Sequence, residues 1–398
     1  MKILIKWTAL AVVVAAVLVI ARDPAYWLKE RLGLGGLGLQ GQGLVGQGFV
    51  RDGTVGLSAS AYTPRAVLQG SNQPPAPRMS PAEEQLDVAA LQSAADYAQK
   101  QQSRALIVSR HGYIVFEKYW QGSNLDTVVE SAGLGRVLAA LATGVAISER
   151  KIGWPEEPIG YLVPALSKDP RGQITVRNLL HMSSGLALPY SSNAVRQYLN
   201  LPSEAPPGER WLDQSVDPDL LGYIIQSATG QPYAQYVSQA IWSRVGAGDA
   251  SLWLDGPGGN AHVDTGFFAR QGDWLRVAEL LLQNGNYQGD EVIVPRWVPQ
   301  LLQPVKGNPN YGSYVRLGTH PAPGMSPFAT NDVFVVEGGG NRMWLVPSLQ
   351  IAILRTGNQP SSDWDDGRIP NLIIRGAHDF IPPAARPGAD IRQLVPNH

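Results

Sequence analysis

The sequence predicts an α/β (α+β) protein in which helices flank an antiparallel sheet and a helical subdomain is added. Along the folded part, a helix and a hairpin come first, helices fill the middle, and strands with a closing helix come last. With 398 residues, 44% of them hydrophobic, the chain can form one large domain or two ordinary ones. The sequence shows no internal repeat and no second core of independent size. We therefore expect one sheet whose chain leaves it and returns.

The composition excludes several kinds of partner and site. The 32 basic and 33 acidic residues leave a formal charge of −1, which argues against nucleic acid as a partner because phosphate binding requires a basic excess. The chain has no cysteine, so disulfides, thiolate metal sites and a cysteine nucleophile are excluded. The histidines form no close pair, and the acidic run Asp363 to Asp366 lacks the spacing of a calcium loop. We expect no metal site and no cofactor.

Residues 1–22 are predicted to be an N-terminal membrane anchor or signal segment. Lys2 and Lys6 precede the apolar run Trp7 to Ala21, which is close to the roughly 20 residues that span a bilayer. Because basic flanks stay in the cytoplasm, we expect a single-pass inner-membrane protein with a periplasmic or otherwise extracytoplasmic domain. The alternative is secretion after signal cleavage, although residues 19–21 make a poor cleavage site.

Residues 23–80 are interpreted as a tether rich in glycine and proline. From Gly33 to Gly48, glycine alternates with leucine, valine and glutamine, which disfavours both a helix and a well-packed strand. The proline-rich stretch from Asn72 to Arg78 ends the tether. Residues 81–398 are then the folded domain, with a sheet subdomain at about 81–135 and 258–398 and a helical subdomain at about 136–257.

The domain is predicted to open with a capped helix followed by a hairpin. Ser80 and Glu83 have the spacing of a capping box, and apolar residues then recur at helical spacing. Two strand-like runs, 105–110 and 113–120, flank His111 and Gly112, which suit a tight turn. Further helices are expected at 137–152, 220–227, 232–245, 274–284 and 370–377, and further strands at 332–336, 342–346 and 350–356.

Four separated segments resemble those of a known family. They are, in chain order, Ile174 to Leu186, Pro206 to Val237, Gly266 to Val298 and Val335 to Gly357. With them the chain resembles the serine β-lactamases and penicillin-binding proteins of the class C-related group. It is nearest the branch of 6-aminohexanoate-dimer (nylon-oligomer) hydrolases and related esterases. The resemblance implies an antiparallel sheet flanked by helices, a helical subdomain, and an active site between the two.

The resemblance also implies that the catalytic motifs of that family have degenerated here. Members use a serine activated by a lysine three residues later. The segment Leu138 to Ser148 resembles the helix after the nucleophile, which places these two positions at Gly133 and Arg136. In the second motif Asp213 replaces the tyrosine, whereas Ser215 matches the Y-x-S form.

The third motif departs from the family pattern as well, because Gly338 stands where relatives have His or Lys. Glycine has no side chain to acylate, arginine stays protonated and cannot act as a base, and a carboxylate only accepts hydrogen bonds. We therefore expect a pseudoenzyme. The residues left to bind a ligand in the cleft are Arg136, Asp213, Ser215, Glu337, Gly339 and Gly340.

Other serines do not restore the missing pair. Ser131, Ser183 and Ser184 have no lysine three residues later. Ser148 and Lys151 do form an S-x-x-K sequence, but they lie at the far end of a predicted helix, where a solvated last turn is expected.

Two functions remain open at this stage. The first is a membrane-anchored, non-catalytic protein that binds or scaffolds a cell-envelope peptide, glycan or protein. The alternative is an active hydrolase of esters or amides with a rewired site, in which Glu130, Asp213 or Glu337 acts as the base. We also predict an ion pair between Arg136 and Asp213, with Glu130 and Glu337 as competing partners.

Overall fold

The computed structural model describes residues 61–189, 194–319 and 325–382. The predicted anchor or signal segment at 1–22 and the first part of the predicted tether, 23–60, lie outside these residues. Across the described ranges, no helix is both long enough and apolar enough to cross a membrane.

Strands and helices alternate along the described chain. The strands are β1 (Arg65–Leu68), β2 (Ser103–Arg110), β3 (Tyr113–Tyr119), β4 (Val128–Glu130), β5 (Ala250–Trp253), β6 (Phe267–Arg270), β7 (Asn286–Tyr287), β8 (Asp290–Glu291), β9 (Arg316–Leu317), β10 (Phe334–Gly338), β11 (Asn341–Val346) and β12 (Ile351–Gly357). The helices are α1 (Val88–Lys100), α2 (Gly135–Ser148), α3 (Ile159–Leu162), α4 (Val176–Leu180), α5 (Val216–Thr229), α6 (Tyr233–Val237), α7 (Gln271–Leu282), α8 (Trp297–Leu301) and α9 (Arg368–Arg375). Short 3₁₀ turns lie at Ala132–Leu134, Pro164–Leu166, Pro170–Gln173, Val195–Asn200 and Pro347–Leu349, and a π-helical turn at Ser238–Trp242.

The main sheet has six antiparallel strands in the order β3-β2-β12-β11-β10-β9. Side chains alternate between its two faces, as the period of a strand requires. Leu106 and Val108 of β2 join the core under α1 and α9, while Ala105 and Ile107 join the larger core that includes α2, α5 and α7. The predicted antiparallel sheet flanked by helices is therefore confirmed.

The β2–β3 hairpin forms as the sequence predicts. Arg110 pairs with Tyr113, which leaves His111 and Gly112 as a two-residue turn. Their φ angles are 48° and 82°. Positive φ at both central positions is the geometry of a tight hairpin turn, and glycine adopts it without strain.

The first helix begins later than predicted. Ser80 and Glu83 do exchange the hydrogen bonds of a capping box, with Oε2 of Glu83 3.0 Å from the Ser80 amide and Oγ of Ser80 3.3 Å from the Glu83 amide. They close a turn that ends at Gln85, whose φ of 56° interrupts the helical path. Helix α1 starts at Val88, with Asp87 accepting from the Ala89 amide as its N-cap.

The end of the predicted tether belongs to the fold. β1 pairs with β5 in a second sheet of order β1-β5-β6-β4, and Leu68 is fully buried. The Asn72 and Gln73 amides then donate to the carbonyls of Ala247 and Gly246. For residues 61–80 the tether prediction is thus wrong, because these residues find backbone partners far away in sequence that local composition does not reveal.

The helices of the middle region form with shifted boundaries. Helix α2 covers Gly135–Ser148 where 137–152 was expected, and the expected helix at 232–245 divides into α6 and the π-helical turn. Within α2, Gly144 lies against the ring of Trp297, whose Nε1 donates to the carbonyl of Ala140 at 2.9 Å. These contacts hold the middle and the C-terminal half of α2 against α8.

Candidate functional site

The two glycines of the predicted first and third motifs touch each other. A Cβ atom added to Gly133 would lie 2.6 Å from the carbonyl oxygen of Glu337 and 3.1 Å from Cα of Gly338. A Cβ added to Gly338 would lie 2.0 Å from the Gly133 amide nitrogen. Because real Cβ contacts are not this short, the backbone of β10 fills the space that a side chain at Gly133 needs, and the backbone of Ala132 and Gly133 fills the space that a side chain at Gly338 needs.

Arg136 lies one turn into the same segment and is held by two carboxylates. Its Nη1 donates to Oδ1 of Asp213 at 2.8 Å, and its Nε donates to Oδ1 of Asp264. The side chains are 18% exposed for Arg136, 30% for Asp213 and 18% for Asp264, so all three are partly buried but still reached by solvent. We call these three residues the Arg136 clamp. The predicted pair between Arg136 and Asp213 is confirmed, and neither Glu130 nor Glu337 forms an ion pair with Arg136.

Asp264 was missed by the sequence reasoning, and its position depends on Asp219. The buried Asp219 carboxylate, in the first turn of α5, accepts from the Val263 amide at 2.6 Å and the Asp264 amide at 2.9 Å. It also lies 3.1 Å from Nδ1 of His262, whose ring stacks on Trp253. A buried aspartate in a first helical turn is the signal that could have pointed to a distant backbone partner.

The clamp carries one positive and two negative charges. Burial lowers the pKa of Arg136, but Asp264 and Asp213 outweigh it and raise this pKa above its ordinary value. For Asp213, burial raises the pKa more than Arg136 lowers it, and the negative charges of Asp264 and Glu337 add to the rise. Asp213 therefore takes up a proton more readily than an ordinary aspartate.

Glu130 anchors the turn that carries Gly133. Its Oε1 accepts from the amides of Ala132 at 2.9 Å and Gly266 at 2.7 Å, with the Thr265 hydroxyl at 3.4 Å. Ala132 has a φ of 46°, a conformation rare for a residue with a side chain. Burial raises the pKa of Glu130 to about 7, against the lowering effect of the two backbone hydrogen bonds.

A second cluster, which we call the strand brace, holds β10. Glu337 accepts from Nε of Arg316 at 2.9 Å and from the Tyr311 hydroxyl at 3.0 Å, and pairs with Arg342 at 3.2 Å. Both arginines also pair with Asp366. Burial raises the pKa of Glu337, but the two arginines overcome this effect and lower it to about 2. A carboxylate held this firmly in its ionised form is a poor base at neutral pH.

The remaining predicted binding residues are spread around the clamp and the brace. Ser215 is buried at the start of α5, and its Oγ has no hydrogen-bond partner in the described part of the chain. Gly339 is exposed in the β10–β11 turn, with a φ of 54°. Gly340 is buried, and its carbonyl accepts from Arg355. Arg136 and Asp213 form the one ion pair among the six predicted binding residues.

The other serines near the site are engaged in the fold. Ser131 is fully buried and its Oγ accepts from Nε1 of Trp274 at 2.8 Å. Ser183 and Ser184 are buried as well, and Oγ of Ser184 accepts from the Leu186 amide at 3.2 Å. No hydrogen bond joins these serines to a lysine, and every lysine of the described ranges is exposed: Lys100, Lys118, Lys151, Lys168 and Lys306.

The expected absence of a metal site stays a prediction. Over the described residues, no group of three or more His, Asp or Glu side chains is arranged to hold a metal ion. The acidic run at 363–366 instead serves the fold, since Asp365 accepts from the Ser326 hydroxyl at 2.6 Å and Asp366 belongs to the strand brace.

Comparison with known proteins identifies the fold and the family. The family model described as beta-lactamase matches residues 88–377, which is most of the chain. The chain belongs to the β-lactamase family. Among solved structures, one called "Putative 6-aminohexanoate-dimer hydrolase from Bacillus anthracis" matches this β-lactamase-family chain with a TM-score of 0.67 and 19% identity, covering 85% of this chain and 93% of that one.

Two curated relatives match parts of the sequence. One from Escherichia coli K12, named "Putative D-alanyl-D-alanine carboxypeptidase", is 30% identical over 178 residues, 35% of this chain and 41% of the relative. The 6-aminohexanoate-dimer hydrolase of Paenarthrobacter ureafaciens is 24% identical over 230 residues, 50% of this chain and 56% of the relative. The chain thus spans about half the length of the curated relatives it matches. Their names describe their own activities, and the shared feature is the fold.

Proposed function

We propose that this β-lactamase-family protein lacks serine hydrolase chemistry and acts by binding or scaffolding at the cell envelope. The observation that carries the proposal is the backbone contact of Gly133 with Glu337 and Gly338. A covalent mechanism needs a nucleophilic side chain and room for the acyl group at this point. Gly133 has no side chain, and the backbone of β10 fills the room. The strand brace holds β10 in that position.

The charge distribution supports the same proposal. Arg136 is kept protonated by its two carboxylate partners, so it cannot accept the proton of a nucleophile. The exposed lysines of the described part offer no replacement base. What remains at the surface of the clamp is a partly exposed carboxylate, Asp213, with Ser215 beside it in sequence. We propose that a cell-envelope peptide, glycan or protein binds at this face, and that nucleic acid does not.

The N-terminal segment supports a location at the membrane. We propose that residues 1–22 anchor the protein in the inner membrane and that the folded domain lies outside the cytoplasm; secretion after cleavage is the alternative. Protease added to intact spheroplasts should then degrade the domain, and the protein should stay in the washed membrane fraction. Protection of the domain would contradict the proposed orientation, and a shortened soluble protein would favour cleavage.

One observation favours the alternative of an active hydrolase. The pKa of Glu130 is raised to about 7, the range suited to a general base. Asp213 and Glu337 are less suited, because the first is paired with Arg136 and the pKa of the second is lowered to about 2.

The test is to incubate the full-length protein with a fluorescent β-lactam, a fluorophosphonate probe and nitrophenyl esters. We expect no covalent adduct by mass spectrometry and no ester turnover above buffer. A stable adduct would overturn the proposal. Turnover that disappears in Glu130→Gln but persists in Glu209→Gln, a control at an exposed glutamate, would establish the alternative.

A further inference from the structure

A depression of about 360 Å³ lies away from the clamp and the brace. It is bounded by the turn of the β2–β3 hairpin, by α7, by the β7–β8 turn and by Ala76 and Pro77. None of its lining residues belongs to the clamp or the brace. Its volume is at the lower end of the range of about 300–1,000 Å³ that small-molecule sites occupy, so it suits a compact ligand.

Glu279 of α7 is the charged group of this depression without a counterion. Its carboxylate lies over the hairpin turn, where a Cβ on Gly112 would be 3.7 Å from Oε1. No cation of the described residues forms an ion pair with it. Burial raises the pKa of Glu279, which nearby Gln283 and His111 lower to a smaller extent.

The two basic side chains that line the same space have other partners. His111 directs Nδ1 to Oε2 of Glu84 at 2.6 Å. Arg276 pairs with Asp273 at 3.6 Å and donates to the Tyr287 hydroxyl at 3.1 Å and to backbone carbonyls. Neither neutralises the Glu279 carboxylate at ion-pair distance, so a positive charge from outside the chain is its natural complement.

The rest of the lining offers both hydrogen bonds and apolar contact. Ser109 is only 5% exposed, lines the depression, and its Oγ has no hydrogen-bond partner among the described residues. Tyr113 also lines the space, although its ring packs against the core under α1 and α9. Leu275 and Pro77 supply apolar walls. The Ser109 hydroxyl is not among the fully buried, unpartnered polar atoms of the described residues, so it is open to the depression and can bind a polar group of a ligand.

We propose that this depression binds a small organic cation, with a primary ammonium group against Glu279, an aliphatic stem along Leu275 and Pro77, and a polar group at Ser109. The site goes beyond the proposed function and does not depend on it, since the lining excludes every residue of the predicted cleft. The ammonium would replace a missing charge partner, and the stem would cover apolar surface that is open to water.

The probe for this site is 1-aminopentane, compared with 1-pentanol, which has the same stem, and with pentanoate, a carboxylate of similar length. Binding is followed in methyl spectra of the full-length protein, with the methyl groups of Leu275 as the local reporter and those of Leu86 as a remote reference. We expect saturable shifts at Leu275 with the amine below about 10 mM, at least tenfold weaker binding of pentanol, and none of pentanoate. Equal affinities for amine and alcohol, or no shift with the amine, would overturn the proposal.

Three variants test where the amine binds and which charge recognises it. Glu279→Gln keeps the shape of the side chain and should weaken amine binding at least tenfold while leaving pentanol unaffected. The matched control is Glu291→Gln, an exposed glutamate of β8 outside the lining, which should leave both affinities unchanged. Ala76→Trp, which fills the depression from its rim, should abolish binding of both probes. If Glu279→Gln and Glu291→Gln bind the amine alike, the assignment to Glu279 is wrong.

Discussion

The Arg136 clamp and the strand brace are both clusters of arginine and carboxylate around β10 and Gly133, yet their charge ratios differ. The clamp sets one arginine against two aspartates, and the brace sets two arginines against two carboxylates. The pKa of Asp213 in the clamp is raised, while the pKa of Glu337 in the brace is lowered to about 2. An arginine partner alone does not ensure that a shielded carboxylate stabilises the fold in its ionised form. The ratio of arginines to carboxylates around it decides this.

The largest effect is expected from the brace. Glu337→Gln removes a carboxylate whose ionised form the fold stabilises, so it should lower the free energy of unfolding at pH 7 by about 3 kcal/mol. The sign follows from the lowered pKa: this stability is present above the ordinary glutamate pKa and is lost as the pH falls towards 2. Urea unfolding at pH 7 measures it. The control is Glu117→Gln, whose partner Arg78 is exposed and which should change stability by less than about 1 kcal/mol.

The next effect concerns the strand that the brace holds. Gly133→Ala places a methyl group against the carbonyl of Glu337, so it should lower stability by about 2 kcal/mol through overpacking. Gly256→Ala is the matched control, because a Cβ there meets no atom within 4 Å, and it should be neutral or slightly stabilising. Thermal unfolding of the two variants decides the comparison. Equal midpoints would mean that β10 moves away from Gly133 at little cost.

A smaller effect is expected from Glu130, which borders the clamp. Its pKa is raised to about 7, so its contribution to stability is full below the ordinary glutamate pKa and is lost as the pH rises through 7. The wild-type protein should therefore lose at least about 1 kcal/mol more than Glu130→Gln between pH 5 and pH 8. Asp217, whose pKa burial also raises to about 7, is the same in both proteins and cancels. Parallel pH profiles of unfolding free energy would contradict this interpretation.

The smallest effect is expected from the clamp itself, and its sign is opposite to that in the brace. Asp213→Asn removes the excess negative charge and leaves Arg136 paired with Asp264, so at pH 7 it should stabilise the protein by about 0.5 kcal/mol or less. Asp264→Asn provides the comparison on the other side of Arg136. If Asp213→Asn costs as much as Glu337→Gln, the contrast between the two clusters fails.

The sequence predicted those parts of the fold that depend on local patterns. The hairpin turn at His111 and Gly112 follows from glycine at a position that needs positive φ. The contact between Arg136 and Asp213 was also predictable, because a shielded guanidinium needs a carboxylate and the family resemblance set the two residues across one cleft. In both cases the physical requirement could be stated without knowing the rest of the chain.

What the sequence did not predict depends on distant partners. Asp264 reaches Arg136 because Asp219, 45 positions earlier in the chain, holds its amide. Strand β1 forms because β5 offers backbone partners across most of the helical region, although its neighbourhood is rich in glycine and proline. The contact of Gly133 with the backbone of β10 was not predicted for the same reason, since it depends on the path of β10 rather than on any side chain.

Strand β1 also has a mechanical consequence. The ring of Tyr62 packs edge-on against Trp253 and Phe268, and the guanidinium of Arg65 lies 3.7 Å above the Phe268 ring. A pulling force that enters the domain at residue 61 loads these contacts and the four β1–β5 residue pairs first. The main sheet has its own strands and hydrogen bonds and does not include β1. Under such a force β1 can therefore detach from β5 first, while the six-stranded sheet and β10 beside Gly133 keep their structure.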